Sequence, residues 1–196
     1  MTPADATTTM SHLMRARMFD QRVVVVNGEL DDVVASRAAA ELMMLDASGD
    51  EPVRLLLNCG GGTYAAAFTL IDVIDLLGVP VHALCIGRAE GVALGVLAVA
   101  ARREAVPHAR LRMCEPGEAF TGATADVERR AAQHDADVRR FRARLAEATR
   151  RPERWITDVL QEGRYLDVHE AIRAGVIDDV ARSSAASVQA IAGRPI

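Results

Sequence analysis

The chain has 196 residues, 50% of them hydrophobic but only 4% aromatic, and a formal net charge of −4. This length supports one domain with an aliphatic core rather than two large ones, and the acidic balance removes the electrostatic case for a nucleic-acid partner or an anionic membrane surface. The longest apolar run, Val92–Ala101, is well short of the ~20 residues a membrane span needs, and the polar, Thr-rich Met1–Met14 lacks the apolar centre of a secretory signal. Cys59, Cys85 and Cys114 have no CxxC spacing. That argues against a disulfide framework or a zinc site and fits a reducing cytoplasm. No metal or other cofactor is expected.

Residues 1–16 read as a flexible N-terminal tail. Arg22–Val26 is β-branched and predicts a buried strand, followed by a turn at Asn27-Gly28. Asp31 or Asp32 caps a helix to about Asp46, with Val34, Ala38, Leu42 and Leu45 on one side. Val53–Leu57 predicts a second strand. It runs into Asn58-Cys59-Gly60-Gly61-Gly62-Thr63, whose consecutive glycines permit positive φ and close approach of another chain. A helix over Tyr64–Leu77 turns Phe68, Ile71, Ile74 and Leu77 inward and stops at Gly78 and Pro80. Val81–Ile86 is a third strand and Gly87–Gly91 a glycine-bounded turn. Val92–Ala101 is apolar on every face, which predicts a helix buried all round. A strand turning sharply into a buried helix is a common seat for chemistry, because the first N–H groups of the helix have no intrahelical partner. The tip of this turn is Gly91, which carries no side chain. A turn at Pro107-His108 leads to a strand over Arg110–Cys114. Strand–helix order repeated three times predicts α/β layering with right-handed crossovers.

Over residues 125–150, Val127, Ala131, His134, Val138, Phe141, Leu145 and Ala148 recur at alternating spacings of four and three, an a/d seam with charge elsewhere. Such a helix would be about 36 Å long. Two readings stand: a helix laid across its own sheet, or one that projects to pack against another subunit. Pro152 starts a shorter helix over Glu153–Leu160, Glu162–Leu166 is a connector, and Asp167 caps a helix over Val168–Ala174 that closes at Gly175. Val176–Val180 predicts a last strand, and residues 181–196 a mobile C-terminal tail.

Several of these pieces together resemble the proteolytic subunit of the caseinolytic (Clp) proteases. Asn58-Cys59-Gly60-Gly61-Gly62-Thr63 is similar to that family's Asn-Ser-Pro-Gly-Gly-Ser/Val loop. Cys85-Ile86-Gly87-Arg88-Ala89 is similar to its Cys-Ile-Gly-Gln-Ala. Pro107-His108-Ala109-Arg110 with Met113-Cys114-Glu115-Pro116 is similar to its Pro-Asn-Ser-Arg run ending in Met-X-His-Gln-Pro. Asp126-Val127-Glu128, Glu170-Ala171 and Gly175-Val176-Ile177-Asp178 also fit, so the likeness spans residues 17–180 as a single domain. It implies an α/β fold, the ββα superhelix shared with the crotonases, with the long helix 125–150 projecting as a handle. It also implies seven-membered rings joined in pairs and a serine endopeptidase of protein quality control fed by an AAA+ unfoldase.

At the positions where the family places its triad, this chain departs from it. The nucleophile position is Gly91, the general-base position Cys114 and the orienting-acid position Gly163. A Ser-His-Asp triad needs a hydroxyl, an imidazole and a carboxylate, and none of the three is present at these positions. The oxyanion-hole positions, Gly62 and Val92, contribute only backbone N–H groups. Glu162 replaces the family's ring-contact arginine with the opposite charge, and Phe141 and Leu145 on the handle are further ring-contact candidates. The leading expectation is a pseudo-protease with a structural or regulatory role in a homo- or hetero-oligomeric ring, with itself or with an active paralogue. One alternative is an active serine- or cysteine-type endopeptidase with displaced residues such as Cys114. Another is a crotonase-like binder of acyl thioesters. Cys59, Thr63, Cys85, His82, His108, His134 and His169 are read as structural or surface residues, Glu90 as facing solvent or a basic neighbour, and the Arg139–Arg144 run as a solvated face.

Overall fold

The computed structural model of the chain describes residues 13–117 and 121–181. Both expected tails therefore lie mostly outside the described residues. Residues 13–16, placed in the N-terminal tail by the sequence, belong to a helix, α1, over 13–20. Arg15 ties that helix down, bonding the Glu41 carboxylate at 2.7 Å and the Val25 carbonyl at 2.8 Å.

From there the order is β1 Val23–Leu30, α2 Asp32–Ala47, β2 Val53–Gly62, α3 Tyr64–Leu76, β3 Val81–Glu90, α4 Val92–Val99, β4 Arg102–Ala105 and β5 Arg110–Met113. The remainder is α5 Thr124–Thr149, α6 Glu153–Glu162, β6 Arg164–Leu166, α7 Val168–Ala174 and β7 Asp179–Val180. The fold is α/β, as the strand–helix alternation predicts. One sheet of seven strands carries the path β1-β2-β3-β4-β7, with β5 and β6 branching from it. Every pairing is parallel except β5 with β6.

The central strand forks. The first part of β3, His82–Cys85, pairs with β4, whereas its last part, Arg88–Glu90, pairs with β5. The fork brings the end of β3 beside the end of β5, which places Gly91 next to the segment that carries Cys114. Strand pairing also explains why three elements outrun their sequence signals. Asn27-Gly28 and Gly87-Arg88-Ala89-Glu90, expected as turns, stay within β1 and β3, because neighbouring strands continue to pair with them. The glycine loop likewise extends β2 to Gly62.

The core is aliphatic and fills both sides of the sheet. Helix α4 is buried from Val92 to Ala98, as its lack of a polar face requires. It is covered by β2, β3, α3 and α5. The fit against α5 is close: a Cβ at Gly95 would lie 2.3 Å from Phe141 Cε2. β4, which the sequence reading did not find, is polar on its visible face. Its Arg103 crosses elements, bonding Asp178 and the carbonyls of Ala98, Ala148 and Gly175.

The two halves of the long helix differ in burial. The buried residues of α5 are Val138, Phe141, Leu145 and Thr149, all in its second half. That half docks on α4 and α6. No residue from 124 to 137 is buried, so the first half carries the seam residues Val127, Ala131 and His134 without full cover. Phe141 and Leu145, expected at a contact between rings, are each 1% exposed in the subunit itself. Their side chains pack in the subunit's own core.

Candidate functional site

β3 delivers Gly91 to the N-terminus of α4. Its backbone sits at φ 55°, ψ −125°, a region that a side chain makes costly and that glycine enters freely. Two hydrogen bonds hold the turn: the Gly91 N–H to the Arg112 carbonyl at 3.0 Å, and the Leu94 N–H to the Gly91 carbonyl at 3.1 Å. This is the strand-to-helix elbow on which a nucleophile would be presented.

The three positions expected to form a degenerate triad are brought together. A Cβ on Gly91 would lie 3.6 Å from Cys114 Sγ, and a Cβ on Gly163 would lie 3.9 Å from Cys114 Cβ. Cys114 therefore occupies the middle of the row, with Gly91 on one side and Gly163 on the other. Gly163 is the left-handed C-cap of α6 at φ 70°, ψ 41°, where glycine avoids the cost other residues pay.

Beside Gly163 stands a cation. Arg112, two residues before Cys114 on β5, donates from Nε to the Gly163 carbonyl at 3.2 Å. Its Nη2 would lie 3.3 Å from a Gly163 Cβ, and its guanidinium rests over the Tyr165 ring at 4.9 Å from the centroid. Positive charge thus stands at the corner where a triad holds its carboxylate. The sequence reading did not single out Arg112. The available signal was strand alternation, which puts residues two apart on one face.

Burial pushes the Cys114 thiol above its ordinary pKa and Glu90 adds to the shift; Arg112 and a hydrogen bond with the Gly91 backbone oppose it. That direction disfavours the thiolate, the form in which a cysteine acts as a nucleophile. Cys59 and Cys85 are buried and free. Burial raises both, Cys85 to about 11. Cys59 bonds the Gly61 carbonyl at 3.0 Å and so stabilises the glycine segment.

Gly62 and Val92, the positions expected to form an oxyanion hole, lie at the ends of adjacent parallel strands. β2 pairs with β3 through Cys59 and Ala89, so Gly62 and Val92 both follow that last shared rung. Gly62 is pressed against β1, where a Cβ would meet the Leu30 carbonyl oxygen at 2.1 Å, and only glycine fits. Val92 opens α4, and its N–H is one of those with no partner in the helix.

Two acidic side chains beside this row are paired. Glu90, 7% exposed, accepts from Arg110 Nε at 2.9 Å, the basic-neighbour alternative of the sequence reading. Glu115 accepts from Arg142 Nε at 2.7 Å, pinning the segment after Cys114 to α5. Tyr64 starts α3 and packs edge-on against His134 and Phe141 at 5.5 Å each; its hydroxyl is buried without a hydrogen-bond partner. His82 lies on β3, with burial and Arg102 lowering its pKa. His108 and His169 are exposed, and so is Glu162 at the end of α6. No helix among the described residues is long and apolar enough to cross a membrane.

A mostly parallel sheet whose forked central strand ends in a positive-φ elbow before a buried helix defines an α/β protein. Compared with known protein families, the chain matches the Clp protease family over residues 6–184. It belongs to that family, whose members form oligomeric rings.

Proposed function

We propose that this chain is a Clp proteolytic-subunit relative without peptidase activity. Its role is structural or regulatory in a cytoplasmic ring, made with its own copies or with an active relative and docked by an AAA+ unfoldase. The observation that carries the reading is Gly91: an elbow in the conformation that presents a nucleophile, with a hydrogen atom in place of the side chain. Without a nucleophile, paired N–H groups give only residual catalysis. The Cys114 thiol, pushed away from its thiolate form, and the guanidinium of Arg112 beside Gly163 support the same reading, because no imidazole or orienting carboxylate stands in the row. The uncovered first half of α5 supports assembly, since it leaves an apolar seam for a second surface.

The test is a fluorogenic-peptide assay on the purified chain, with native mass measured alone and after mixing with an active family member. No cleavage and a stable mixed ring are expected. Cleavage abolished by Cys114→Ala would replace this reading with the displaced-nucleophile endopeptidase. A melting temperature raised by a coenzyme A thioester would replace it with the acyl-thioester binder. A lone monomer that ignores the active relative would remove the assembly role.

A further inference from the structure

Away from the Gly91–Cys114–Gly163 row, α6, β6 and α7 enclose a cleft of about 180 Å³. Its walls carry Arg151, Arg164, Arg173, Trp155 and Glu170 over Leu166. Three arginines and one glutamate line it, a local excess of positive charge in a chain whose net charge is −4.

The four charged groups are not equally committed. Glu170 is fully engaged: one carboxylate oxygen accepts from Arg164 Nη2 at 2.9 Å and the other from the Asp167 N–H at 3.1 Å. Arg151 donates from Nε to the Ala174 carbonyl at 3.3 Å, and its guanidinium stands 5.6 Å from the centre of the Trp155 ring. Arg173, in the last turn of α7, makes no hydrogen bond to a described residue. The remaining acid that bears on it, Asp167, is held as the N-cap of α7 by the Glu170 N–H at 2.7 Å. Among the described residues, Arg151 and Arg173 therefore keep most of their donors without a hydrogen bond, and Arg164 keeps those not aimed at Glu170.

We propose that this cleft binds a phosphate group, free or as a monoester. Guanidinium donors from the α5–α6 connection, β6 and α7 suit the peripheral oxygens of a tetrahedral dianion. A carboxylate would use one fork and leave the others unanswered. Trp155 and Leu166 give the cleft an apolar wall, which weakens competition from water for those hydrogen bonds. None of these residues belongs to the row behind the proposed function, so either reading can fail without the other.

Trp155 is the sole tryptophan of the chain, so its emission reports on the cleft directly. The full chain is titrated with inorganic phosphate at ionic strength held constant with NaCl. A saturable change in emission is expected, with a half-point of about 1 mM or lower. Acetate is expected to give none. R173Q should weaken binding about tenfold, the worth of one charge-assisted bond, and R173K should recover part of it, having the charge without the fork. Arg173 is exposed, so a far-UV melting curve coinciding with that of the parent checks that folding is intact. AMP and phosphoserine separate the sources: tighter binding of either assigns the group to that monoester, and no gain over phosphate assigns it to the free ion. A response that does not saturate, that acetate reproduces, or that persists unchanged in R151Q/R173Q would overturn the site.

Discussion

Gly91→Ala tests whether the elbow is held in the conformation described. At φ 55°, ψ −125°, an alanine Cβ is strained by its own backbone and would stand 3.3 Å from the Cys114 carbonyl oxygen. Such a conformation costs about 1–3 kcal/mol in a residue other than glycine. Against it, alanine restricts the unfolded chain and returns about 0.4–1 kcal/mol. The strain wins, leaving a net loss of about 0.5–2 kcal/mol and a melting point lower by about 1–8 °C for a domain of this size. Gly49→Ala is the internal control. Gly49 has no left-handed φ, and its Cβ would meet only the end of Arg22, at 3.7 Å, so stability should hold or rise slightly. Urea unfolding with unchanged m-values measures both. If Gly91→Ala were as stable as Gly49→Ala, the elbow would not be locked, and the claim that the backbone of a nucleophile site persists without its nucleophile would fall.

Restoring the triad in full, as G91S/C114H/G163D, should leave peptide cleavage undetected. The new carboxylate would pair with the Arg112 guanidinium beside Gly163 and not orient the imidazole. Adding R112M should then raise activity, by up to about 10⁴-fold if orientation is the whole deficit; equal rates in the two variants would refute the role given to Arg112. Phe141→Ala should cost about 3–5 kcal/mol in urea unfolding, because the ring is 1% exposed against Gly95 and Tyr64. Val127→Ala on the uncovered half of the same helix should change the lone subunit by less than about 0.5 kcal/mol, and matching losses would contradict the half-docked helix. Cys114 is raised above its ordinary pKa, so alkylation by iodoacetamide should be slow at pH 7 and still accelerate as pH passes 9. A rate that levels off below pH 8 would mean a thiolate, and with it a nucleophile.

Most of the architecture was legible because each element carried a local signal. Asp31 and Asp167 cap the helices their positions predict, each accepting a backbone N–H, and Thr63 caps α3, a role the sequence reading did not give it. Gly175 ends α7 in the left-handed conformation, and the all-apolar Val92–Ala98 is buried. The misses arose where a neighbour decides. The strands over Gly87–Glu90 and Arg102–Ala105 exist because β5 and β7 pair with them, and no apolar alternation announces either. The a/d seam of α5 was visible, but not where its cover stops. That boundary depends on Gly95 and Tyr64, which are far away in sequence. In the candidate site, the row Gly91–Cys114–Gly163 followed from motif order. Arg112 did not, because its position beside Gly163 is fixed only when β5 and the end of α6 meet.

The long helix divides the subunit thermodynamically. Ala123 offers no side-chain cap to its start, and none of residues 124–137 is buried. A segment of that length sits near the helix–coil midpoint on its own. Anything settling on it would have to complete its winding, and part of the contact energy would be spent on that ordering. Association through this segment would be weak per contact, quick to reverse and steeply temperature-dependent, and its strength would come from repetition around a closed assembly.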